Sequence, residues 1–76
     1  MRLEMEHRHL ALSNRHIRES RERISAQRVR VLRLQQDGED TALSLQLLGL
    51  MESGLQIMLS HRALILAEID RLTHTA

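Results

Sequence analysis

The sequence predicts an all-α fold, a long antiparallel two-helix hairpin that dimerises into a four-helix bundle. Three observations carry the prediction. Proline is absent, glycine occurs three times in 76 residues, and Leu, Arg, Gln, Glu and Ala, all good helix formers, are abundant. One strong break, QQDGEDT at 35–41, divides the chain. Apolar residues in each half recur at the seven-residue period of packed helices.

The first helix is placed over about residues 3–36. Leu3, Leu10, Ile17, Ile24 and Val31 recur every seventh residue. Their heptad companions three positions on are Glu6, Ser13, Ser20, Gln27 and Leu34, four of them polar or small. Such a seam can pack against a partner but is too thin to hold a helix by itself. The turn falls at 37–40. Gly38 is suited to the left-handed conformation that ends a helix, and Asp40 or Thr41 to capping the next. So short a connection makes its helices antiparallel neighbours.

The second helix, about 41–73, is apolar around most of its circumference. With Leu48 as heptad position a, that position holds Thr41, Leu48, Leu55, Arg62 and Ile69. Position d holds Ser44, Met51, Met58, Ile65 and Leu72, and position e adds Leu45, Leu59 and Leu66. Position c adds Leu43, Leu50, Ile57 and Leu64, with Leu47 at g. One facing helix covers a stripe of roughly 100°, so a second molecule must cover the rest. The expected interface comprises Leu45, Leu47, Leu50, Ile57, Leu59 and Leu66. A homodimer of two hairpins is the simplest closed arrangement, although a largely leucine face is also compatible with a tetramer.

Length and composition agree. Residues 1–76 make one small domain, near the size at which a single core barely suffices. With no cysteine, disulfides and thiolate metal sites are excluded, leaving helix packing and self-association. Residues 1–36 carry nine Arg and four Glu (+5), and residues 37–76 two Arg and six acids (−4), so the halves attract. The N-terminus, MRLEMEHRHLALSNR, does not read as a secretory signal. No uninterrupted apolar run reaches the ~18 residues of a membrane span, because Gln46, Glu52, Ser53, Gln56, His61 and Arg62 break the apolar stretch. A cytoplasmic location is expected.

Candidate chemistry is sparse. Arg15, Arg18, Arg21, Arg23, Arg28, Arg30 and Arg33 could track a phosphate backbone. They point around the helix, though, and are partly matched by Glu19 and Glu22 at four-residue spacing. No aromatic residue is present for base stacking. A solvated helix exterior is the better reading, with nucleic-acid association as the alternative. A third class, a peripheral membrane protein using the first helix as a basic amphipathic helix, is disfavoured by the thin apolar face.

Glu4-x-x-His7 and Glu6-x-x-His9 have the spacing found in di-metal bundles. Only Glu52 and Glu68 could supply further carboxylates from the body of the second helix, so a surface role is favoured and no metal or cofactor is expected. His61 and Arg62 interrupt the apolar face and should lie opposite about residue 16, with Arg62 paired to Glu19 or to an acid of a partner chain. Met51 and Met58 read as core fillers, whereas Met1 and Met5 lie outside the core seam. Gly49 and Gly54 either admit a close neighbouring helix or soften this one. With no Cys nucleophile, Gly-rich phosphate loop or plausible Ser-His-acid grouping, the chain does not read as an enzyme.

The runs RHIRESRERISAQRVRVLRL, QDGEDTALSLQLL and MLSHRALILAEI resemble a group of short uncharacterised proteins from alphaproteobacteria. The matching positions are His16-Ile17, Arg23-Ile24, Gln27-Arg28, Asp37-Gly38, Asp40-Thr41, Leu47-Leu48, His61-Arg62, Ile65-Leu66 and Glu68, across residues 15–69. Glu39 departs from the pattern, which has His there. The resemblance implies a helical hairpin of bacterial cytoplasmic origin and carries no activity. It also makes His16, His61 and Arg62 functional candidates. The role that follows from all this is a non-enzymatic oligomerising or adaptor module that binds another protein.

Overall fold

The computed structural model describes residues 2–75, so Met1 lies outside the described residues. It is a two-helix hairpin of α1 (Arg2–Gln36) and α2 (Ala42–His74), with principal extents of 61 × 15 × 13 Å. No other secondary structure occurs among the described residues. The boundaries lie within one residue of those expected.

A hydrogen-bonded cap stops α1. The Glu39 N–H donates to the Leu34 carbonyl at 2.9 Å and the Gly38 N–H to that of Gln35 at 3.1 Å, with Gly38 at φ +69°. These are the two reversed bonds of a Schellman ending, which requires a left-handed residue and so favours glycine. At the start of α2, the Asp40 carboxylate accepts from the Ala42 N–H at 3.0 Å, while the Thr41 side chain makes no capping bond. Of the two residues suited to capping, Asp40 does it.

Four of the polar cross-helix contacts among the described residues mark the register. From the open end towards the turn they are Arg2–Glu68 (3.2 Å), Arg62 to Asn14 Oδ1 (2.6 Å), Arg28–Glu52 (3.3 Å), and Gln27 Nε2 to the Ser44 carbonyl (2.9 Å). Both ion pairs join the basic half to the acidic half, as the charge asymmetry leads one to expect. Exposed pairs of this kind contribute only about 0–1 kcal/mol each, so burial must hold the helices together.

The core is one seam wide. Ile17, Ile24 and Val31 of α1 and Ile65 of α2 are buried, each contributing about 1.5–3 kcal/mol. Positions a and d of α2 line the other side, with Leu48, Met51, Leu55 and Met58 half-buried. Ser13, Ser20 and Gln27, the weak companions of the α1 seam, are buried too. The small side chains of Ser13 and Ser20 leave room for the long leucines and methionines of α2, so small packs against large at those points of the seam.

By length and composition α2 also meets the requirement for crossing a bilayer, with a hydropathy of 1.3 over its most apolar window. That criterion averages over the polar interruptions, whereas a count of uninterrupted apolar residues does not. Long apolar helices outside membranes meet it as well.

Candidate interaction surface

Heptad phase decides what α2 leaves uncovered. Since a and d face α1, position c lies about 130° from the seam centre, beyond the reach of α1. Leu43, Leu50, Ile57 and Leu64 accordingly stand 65–81% exposed in a row along the helix. Leu47 at g is half exposed and widens the row. The surface is a straight apolar stripe with its own seven-residue period, distinct from the seam that holds the hairpin.

The residues expected at an interface divide between two flanks. Leu47, Leu50 and Ile57 belong to the stripe, which also includes Leu43 and Leu64. Leu45 and Leu66 lie on the opposite, e-position flank and are 46% and 38% exposed. Leu59, on that flank as well, is half-buried in the hairpin itself. The position-c period already contained Leu43 and Leu64. What periodicity lacked was the knowledge of which flank α1 covers.

The stripe carries no formal charge. Between residues 42 and 67, α2 has two such residues, Glu52 and Arg62. Both turn towards α1, Glu52 to Arg28 and Arg62 to Asn14. Arg62 therefore does not pair with Glu19, one of the two partners expected for it. Arg15, four residues away on the same helix, holds Glu19 at 3.0 Å. That hydrogen bond is the main reason the Glu19 carboxyl sits below its ordinary range, and the charges of Arg15, His16 and Arg23 add to it.

Near the open end a shallow cavity of about 230 Å³ is lined by His9, Leu12, Ser13, His16, Met58 and His61. The hairpin thus brings His16 and His61 together, with His9 beside them, and leaves Arg62 outside this lining. His9 Nδ1 lies 3.7 Å from Glu6 Oε1, an ion pair only when the ring is protonated. Among the described residues no group of three or more His, Asp or Glu side chains is disposed to hold a metal ion.

The outer face of α1 is basic. Arg8, Arg18, Arg21, Arg23, Arg30 and Arg33 take part in none of the ion pairs among the described residues. They occupy five of the seven heptad positions and so form a diffuse shell with no single track. At the open end of the hairpin Arg71 bonds Glu68 at 3.0 Å, which lowers the Glu68 carboxyl and raises the Arg71 guanidinium from their ordinary values.

No family model, curated protein or solved structure matches this chain.

Proposed function

We propose that this chain is a non-enzymatic oligomerising or adaptor module whose working surface is the outer face of α2. The observation that carries the reading is the row Leu43, Leu50, Ile57 and Leu64, each 65–81% exposed at seven-residue intervals. Scattered apolar residues on a surface need no explanation, but a contiguous helical stripe marks an association surface. Heptad order also gives a partner helix a regular row of knobs to pack against. The resemblance to short alphaproteobacterial proteins fits a module working in a bacterial cytoplasm.

The test compares wild type with Leu50→Glu/Ile57→Glu by sedimentation equilibrium, using interference optics because the chain lacks Trp and Tyr. A wild-type mass above the 8.8 kDa of one chain, falling to one chain in the variant, supports the reading. So does a monomeric wild type that binds an apolar dye more strongly than the variant, because the stripe is then open for another protein. A monomer that binds no more dye than the variant overturns it.

A second reading, nucleic-acid association, is favoured by the six α1 arginines that take part in no ion pair among the described residues. A phosphate tracker would lose affinity steeply as salt rises. Failure to bind RNA or DNA at ~50 mM salt, where phosphate contacts are strongest, dismisses it.

A further inference from the structure

We infer that the occupant of the α2 stripe is a second copy of this chain, laid antiparallel about a two-fold axis near Gly54. The inference rests on the docking role of the stripe proposed above and adds the identity and orientation of the partner.

Surface area argues for a partner of this size. A folded monomer of 8.8 kDa is expected to expose about 4,800 Å². This hairpin exposes 5960 Å², an excess of about 1,200 Å², where a stable interface needs only about 800 Å² from each partner. A second copy laid along the 61 Å length of the hairpin can cover that excess without any further chain.

Chemistry argues for a partner like itself. The positions beside the stripe are f, with Gln46, Ser53, Ser60 and Ala67, and g, with Leu47, Gly54 and His61, so docking there removes no carboxylate or guanidinium from water. A basic or acidic partner would find nothing to pair with. Gly54 lies midway along the stripe, and a Cβ built on it meets nothing within 4 Å in the hairpin. Packing within the chain therefore does not explain a glycine in the middle of a helix. A neighbouring backbone approaching across a two-fold axis does.

Orientation follows from the ends. Parallel pairing would set the two acidic turns, each with Asp37, Glu39 and Asp40, side by side and align the helix macrodipoles. Antiparallel pairing separates the turns by most of the helix length. It places Leu43 against the partner's Leu64, and Leu50 against the partner's Ile57.

The chain has no cysteine, so single-cysteine variants report geometry directly. Leu43→Cys and Leu64→Cys are oxidised alone and as an equimolar mixture. The expected result is cross-linking in the mixture only, because two copies of either site would stand about 30 Å apart. Gly54→Ala, whose added Cβ meets no atom within 4 Å in its own hairpin, should keep the helicity and weaken association at least tenfold. A dimer in which Leu43→Cys cross-links to itself overturns the antiparallel arrangement and leaves the docking role intact. A wild-type monomer at millimolar concentration overturns the second copy as occupant, and the dye comparison then decides the docking role separately.

Discussion

Gln27 on α1 donates a hydrogen bond from Nε2 to the backbone carbonyl of Ser44 on α2, 2.9 Å away and partly shielded from water. Among the described residues, no buried side-chain nitrogen or oxygen lacks a partner. Gln27 sits in the seam between Ile24 and Val31, where an apolar residue would normally pack. Its bond therefore compensates a buried amide and ties the start of α2 to one point on α1.

That relationship predicts an asymmetric response. The Ser44 carbonyl lies in the first turns of α2, where it can also accept an intrahelical N–H. Gln27→Leu then leaves no orphan and adds apolar burial. The urea midpoint followed by circular dichroism should be unchanged or higher, with any loss below about 1 kcal/mol. A loss well above ~2 kcal/mol, beyond the net worth of a typical hydrogen bond, would mean that the amide holds the register of the hairpin.

Ile65 is the single buried residue of α2, with 5% of its surface exposed, whereas Leu48 is half-buried. Ile65→Asp forces a carboxylate into the seam and should abolish cooperative thermal unfolding. Leu48→Asp should destabilise less if the hairpin is the folding unit. If Leu48→Asp is equally destructive, a partner chain must bury Leu48 further. Ile65→Ala should cost about 2–5 kcal/mol.

Gly38 has φ +69° with open space around it. Gly38→Ala meets no clash, so its cost is purely conformational, about 1–2 kcal/mol for a left-handed alanine. The chemical-denaturation midpoint should fall accordingly while the hairpin remains. An unchanged midpoint would show that the turn has freedom to adopt another path.

The Glu68 carboxyl is held below its ordinary value of 4.5 chiefly by the hydrogen bond from Arg71, aided by the charges of Arg71 and Arg2. A depressed folded value means that the stabilisation is complete above the unfolded value and is lost as pH falls through the folded one. Stability should therefore hold from neutral pH down to about pH 5 and decline below it. Carboxyl NMR titration checks the cause, since Arg71→Gln should move the Glu68 midpoint upward. An unmoved midpoint would assign the depression elsewhere.

Much of the fold was legible because helix period and breaks are local properties. QQDGEDT announced the turn, and the a and d positions of the second half named the face that meets the first. The angle of a residue on its helix follows from sequence spacing alone. How far the opposite helix reaches around that circumference does not. Only the packed hairpin showed that Leu59 turns inward while Leu43, Leu50, Ile57 and Leu64 stay outside.

Side-chain partners escaped for a related reason. A seven-residue period constrains which faces meet, but choosing Asn14 over Glu19 for Arg62 depends on a register fine enough to separate residues five apart, and on Arg15 already holding Glu19. The burial of Ser13 and Ser20 is likewise a tertiary outcome. Small hydroxyl residues read as surface in isolation and become core once the large side chains of α2 occupy the space they leave. By itself the sequence determined two helices, their direction and their facing seams. The tertiary structure decided how much of each face is covered, because coverage depends on side-chain volume and helix separation, which sequence periodicity does not encode.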